Sequence, residues 1–125
     1  MKITTLSLLT IITFFNVTPL YANDTLLLQE IEEKAHGLLA SGEAMSALRN
    51  SRELDAARDC GIKMRSNQPQ VKKLRKQVNE ADSGNSYFLK VALGDLLWCV
   101  SCGKDADQYC SRVRTNLKEY QAQKP

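Results

Sequence analysis

The chain has 125 residues, with 17 Lys and Arg against 14 Asp and Glu and a formal charge of +3. This length suits one small domain. The near balance of charge predicts no strong general attraction to nucleic acid or to anionic lipid.

Residues 1–22 read as a secretory signal peptide. Lys2 supplies the positive end, and residues 3–15 form an apolar run too short to span a bilayer comfortably. Pro19 breaks that run, and Ala22 suits a cleavage position. An uncleaved membrane anchor is the other reading, and the short run argues against it. No cysteine lies near the cut, which argues against a lipid-anchored form. Losing the leader leaves 16 basic and 14 acidic side chains on residues 23–125, because Lys2 is its only charge. If the route is eukaryotic, Asn23-Asp24-Thr25 is a glycosylation acceptor.

The first helix is expected over residues 24–40, with Asn23 or Asp24 as cap. Leu27 or Leu28, Ile31, Ala35, and Leu38 or Leu39 recur at helical spacing, with Glu30, Glu32, Glu33 and Lys34 mainly on the other side. Ser41-Gly42 reads as a stop and restart. Residues 43–65 have helical composition, with a break at Asn50-Ser51. Leu54, Ala57, Cys60, Gly61 and Met64 then occupy one inward arc. Residues 66–69 read as a loop, and Pro69 suits a first helical turn. Val71, Leu74, Val78 and Ala81 continue at helical spacing, while Lys72, Lys73, Arg75 and Lys76 cover the outside.

After a turn over residues 82–85 comes SYFLKVALGDLLWCVSC, residues 86–102. Wound as a helix it is apolar on nearly every side, which predicts a buried central helix ending at Gly103. Phe88, Ala92, Asp95, Cys99 and Cys102 share one face of it. The last helix carries Ala106, Cys110, Val113, Leu117 and Tyr120 on its inner side, and the tail beyond about residue 120 is expected to fray. No strand pattern or internal repeat interrupts this order. The fold class is therefore all-α: a small bundle of four to five helices around the central one, stapled by two disulfides.

The four cysteines, Cys60, Cys99, Cys102 and Cys110, all follow the leader, which is the usage of a disulfide framework in an exported chain. Three pairings are open. If the last two helices form a hairpin turning at residues 103–105, Cys99 and Cys110 stand at similar heights, at about 1.5 Å of rise per residue. That favours Cys99–Cys110 with Cys60–Cys102. The swapped pattern, Cys60–Cys99 with Cys102–Cys110, is nearly as good. Cys99–Cys102 ranks last, because side chains three apart on a helix are about 5–6 Å apart at Cβ.

Trp98-Cys99-Val100-Ser101-Cys102 resembles the Trp-Cys-x-x-Cys of thioredoxin-like oxidoreductases, a resemblance that implies thiol–disulfide exchange in the exported compartment. It covers five residues. Such a motif needs its first cysteine at a helix N-terminus, where the dipole favours the thiolate. Here the pair closes an apolar helical run, at the opposite pole, and the chain lacks the alternating strands and helices of that family. A four-thiolate metal site is a further option, but the expected compartment favours oxidation of the thiols. Gly103 stands where covalent haem attachment needs histidine. His36, the single histidine, reads as a solvated surface residue.

Asp95, on the inner face, must be paired, protonated or open to water, with Arg58 or Arg112 as candidate partner. It has no second acid, nucleophile or histidine linked to it by spacing, so no catalytic set and no cofactor site are expected. Lys72, Lys73, Arg75 and Lys76, together with Asp95, are the candidate partner-binding residues. The basic run lacks interleaved aromatics, which argues against nucleic acid. The expectation is a small exported interaction protein, in the periplasm by preference or outside the cell. It would act as an inhibitor, an immunity-type protein or a secretion or envelope accessory factor, without stable membrane insertion. The partner would be another envelope or secreted protein. The alternative is a periplasmic thiol–disulfide or metal-handling protein using Cys99 and Cys102.

Overall fold

A computed structural model describes residues 20–81 and 84–124, with side chains from Asp24 onward. Residues 1–19, most of the expected leader, and Asp82 and Ser83 of the expected turn lie outside that set. The described chain is all-α. Four helices pack together: α1 (Leu20–Ala44), α3 (Leu54–Glu80), α4 (Tyr87–Cys99) and α5 (Ala106–Ala122). A single turn, α2 (Ser46–Arg49), joins the first two. No described helix is long and apolar enough to cross a membrane.

The inward stripes explain the packing. Leu28, Ile31, Ala35, Leu38 and Leu39 of α1 are buried, as are Ala106, Cys110, Val113, Leu117 and Tyr120 of α5. Each set repeats every three or four residues, so one side of each helix is apolar and meets the others. The α4–α5 hairpin is the most extensive pairing, and α4 also touches α1 and α3.

Several expectations are corrected. Helix α1 runs through Ser41 and Gly42 to Ala44. Gly42 is needed for space and does not stop the helix. A Cβ there would lie 2.5 Å from Cys99 Sγ and 3.0 Å from the Cys99 carbonyl oxygen. Because α1 begins at Leu20, Asn23 and Asp24 lie within the helix and do not cap it. Glu32, expected on the outer side, is buried; its Oε1 accepts from Gln121 Nε2 at 3.2 Å and its Oε2 lies 2.5 Å from Lys124 Nζ. Helix α5 continues to Ala122, two residues beyond the last inward residue.

The loop expected at residues 66–69 is the middle of α3, with Pro69 inside the helix. Its inward positions are Cys60, Met64, Asn67, Val71, Leu74 and Val78, spaced four, three, four, three and four apart without a break. Asn67 occupies one of them and satisfies its amide there: Nδ2 donates to Ser41 Oγ at 2.8 Å. Pro69 lies on the exposed side, where water can serve the carbonyl that loses its donor. At the start of α3, Leu54 is 89 % exposed and Ala57 is exposed, so the inward arc begins only at Cys60.

Helix α4 is shorter than residues 86–102 and is not enclosed. Leu89, Ala92, Leu93, Asp95, Leu96 and Cys99 are buried, but Tyr87 is 67 % and Trp98 55 % exposed. These two rings fall on one side of the helix, eleven residues apart, with half-buried Gly94 between them. A run that is apolar all round therefore buries one side and presents aromatic rings on the other. The helix ends at Cys99, before Gly103, where Ser101 Oγ donates to the Trp98 carbonyl at 2.6 Å.

Candidate interaction face

Two disulfides fix the bundle. Cys60–Cys102 ties α3 to the loop after α4 across 42 residues, and Cys99–Cys110 ties α4 to α5 across 11. These are the pairings that the hairpin heights favour. Cys99 and Cys102 thus bond to partners on different helices, and none of the four cysteines is free. The helical face expected to hold Cys102 ends at Cys99, and the loop turns Cys102 toward α3. Among the described residues, no group of three or more His, Cys, Asp or Glu side chains is placed to hold a metal ion.

Beside the sulfurs lies a residue that the sequence reading missed. The Arg49 side chain is only 3 % exposed. Its guanidinium donates to the carbonyls of Gly42 at 3.0 Å, Cys99 at 3.3 Å and Ser101 at 3.2 Å. It also donates to Asp107 Oδ1 at 2.5 Å. Carbonyls at helix C-termini lack intrahelical partners, and a cation there is favourable. Arg49 serves the ends of α1 and α4 together, while Asp107 occupies the first turn of α5, where an acid is favoured. Ser46 Oγ and Asn50 Nδ2 also donate to Asp107. The Arg49 hydrogen bond holds the Asp107 carboxyl below the usual carboxylate range, with smaller help from Ser46 and Asn50. The available signal was a basic residue in the last turn before a helix break.

Asp95 is buried, and Arg112 is the partner of the two candidates. Arg112 NH2 lies 3.3 Å from Asp95 Oδ1. Asp95 Oδ2 is buried with no hydrogen-bond partner among the described residues. The same guanidinium lies over the Tyr109 ring, 5.1 Å from its centre. Tyr109 in turn packs against Trp98, with ring centres 6.1 Å apart. Asp95, Arg112, Tyr109 and Trp98 therefore form one continuous ledge from buried carboxylate to exposed indole. Trp98 and Tyr109 directly precede the two bridged cysteines, whose Cα atoms are 4.6 Å apart, so the Cys99–Cys110 bond clamps the rings side by side.

The basic residues of α3 divide. Lys72, Lys73, Arg75 and Lys76 are all exposed. Lys73 lies near enough to Glu30 of α1 to help Lys34 lower its carboxyl's pKa. Lys72 and Lys76 lie instead on one row with Arg58 and Arg65, at spacings of seven, seven and four. That row adjoins Gln68, whose Nε2 donates to the Leu97 carbonyl of α4 at 3.4 Å. The structure does not join Asp95 to the four basic residues; Asp95 belongs to the ledge between α4 and α5. His36 is exposed beside Gln121, at one wall of a shallow cleft between α1 and α5 that also holds Glu43 and Arg114, which are ion-paired. No family model matches the chain, and no curated protein or solved structure matches it significantly.

Proposed function

We propose that this chain is a small exported interaction protein, a disulfide-stapled helical scaffold that presents a rigid surface to another envelope or secreted protein. Inhibition of that partner, neutralisation of a toxin, or assistance in secretion or envelope assembly are the roles this scaffold suits. The observation that carries the reading is the division of the Cys99-x-x-Cys102 run between two bridges to different helices. Its sulfurs hold elements together, and exchange chemistry would require both bridges to open. Two disulfides suit an oxidising compartment, with the periplasm preferred.

The test uses the purified full chain. Thiol titration without reductant should find no free thiol, and insulin reduction should show no turnover. A stable complex with one identified protein should be recovered from envelope extract and should survive when dilute thiol is present. Catalytic turnover would replace this reading with the redox one, and failure to form any complex would end it.

A further inference from the structure

We infer that the outer surface of α3, α4 and α5 docks an acidic protein segment, with Trp98 and Arg112 as anchor and Arg58, Arg65, Lys72 and Lys76 as the electrostatic rim. This rests on the interaction reading above and assigns its surface and the chemistry of its partner.

The rim is basic from Arg58 to Lys76, with the exposed acids Asp55 and Glu80 one turn beyond its two ends. Its first and last cations, Arg58 and Lys76, are 18 positions apart on α3, about 27 Å at 1.5 Å of rise per residue. None of the four has an ion pair among the described residues. Five acids of the chain are ion-paired with other cations: Glu30 with Lys34, Glu32 with Lys124, Glu43 with Arg114, Asp107 with Arg49 and Asp95 with Arg112. The four cations thus make a basic row without ion pairs among the described residues, and complementary potential is what steers and selects a partner.

The anchor has the composition of an interface centre. Trp, Tyr and Arg dominate the residues whose removal costs binding most. Trp98 is 55 % exposed, yet Tyr109 supports its ring and the Cys99–Cys110 bridge fixes their bases. Little ordering is left to be done on binding, which favours affinity. Gln68 donating to the Leu97 carbonyl puts the middle of the basic row beside the residue that precedes Trp98. An anionic lipid surface is the poorer occupant. Interfacial helices insert a broad apolar face, whereas here the exposed large apolar side chains of α3 and α4 are single residues well spaced along their helices, Leu54, Ile62, Tyr87 and Trp98.

The experiment introduces a photo-crosslinking residue into the full chain in its native cells, as Trp98→benzoylphenylalanine or, on the outer side of α1, Glu33→benzoylphenylalanine. The expected result is one protein adduct from position 98 and none from position 33. The crosslinked partner peptide should carry more Asp and Glu than Lys and Arg. Adduct yield should fall by about tenfold in the K72E/K76E background, as for loss of a charged rim, with circular dichroism unchanged. A partner peptide of net positive charge, an undiminished yield after charge reversal, or a lipid adduct alone overturns the inference. An adduct from position 33 only overturns this surface but leaves the interaction reading standing. No adduct from either position removes both.

Discussion

Gly42 and Cys99 meet so closely that one methyl group would not fit between them: a Cβ on residue 42 would sit 2.5 Å from the disulfide sulfur and 3.0 Å from the carbonyl oxygen. Neither atom can step aside. The sulfur is bonded to Cys110, and the carbonyl belongs to the end of α4. This contact sets how near α1 approaches the sulfur-bridged pair of helices.

Gly42→Ala should therefore destabilise the fold although alanine is the better helix former. Overpacking costs about 1–3 kcal/mol, against about 1 kcal/mol of gained helix propensity. Gly37→Ala provides the opposite sign on the same helix. Gly37 is exposed with nothing within 4 Å of its Cβ position, so the change should stabilise by about 0.5–1 kcal/mol. Urea midpoints of the two variants check the contrast; equal shifts would refute the close approach.

Arg49 should be the most sensitive polar residue of the bundle. Arg49→Met leaves the carbonyls of Gly42, Cys99 and Ser101 without this donor and Asp107 without its cation. Breaking a buried charged partnership costs about 3–5 kcal/mol. Asp107→Asn touches only the half-exposed end of the same network, so it should cost about 1 kcal/mol or less. Denaturation curves in which the two variants lose equal stability would contradict the buried role of the guanidinium.

The pH dependence follows in sign. The Arg49 hydrogen bond lowers the folded-state pKa of Asp107, so its contribution to stability is present above the unfolded value, about 3.9. That contribution is lost as pH falls through the lower folded value. Asp107→Asn should flatten the acid limb of a stability–pH profile. Tyr120 behaves oppositely: burial raises its phenol, with Lys124 opposing. Its contribution is present below about pH 10 and lost as pH rises through the raised folded value. Tyr120→Phe should flatten the alkaline limb, and a profile unchanged by either variant would sink the respective assignment.

What the sequence conveyed was periodic and what it concealed was tertiary. The inward stripes of α1 and α5 were legible because spacing is a local quantity, and helix rise favoured Cys99–Cys110, but the swapped pairing ranked nearly as high because the place of Cys60 against α4 is tertiary. Residues 66–69 were misread because Ser, Asn and Pro are turn formers by local preference. The seven-residue repeat through Cys60, Asn67 and Leu74 outweighs them once Ser41 is there to receive the amide. Gly42 looked like a stop for the same reason, since the sulfur it accommodates lies 57 positions away. The ledge of Trp98, Tyr109 and Arg112 was hidden because no sequence spacing announces that residues on two helices stack. Of the four basic residues singled out, Lys73 is set apart only by the placement of α3 beside α1, which brings it near Glu30.

The two bridges should differ in what their loss does. Opening Cys60–Cys102 frees a loop of 42 residues, against 11 for Cys99–Cys110. By loop-closure entropy these correspond to about 4 and about 3 kcal/mol. C60S/C102S should therefore be the less stable variant. The optical readout should rank them the other way. Trp98 is the sole tryptophan, and the shorter bridge joins the residues that follow Trp98 and Tyr109. C99S/C110S should shift Trp98 emission in the folded state by loosening the indole from Tyr109, while C60S/C102S leaves it nearly unchanged. A variant set in which stability and emission fall together would mean that the aromatic ledge is held by the general packing of the bundle and owes nothing to its neighbouring sulfur bond.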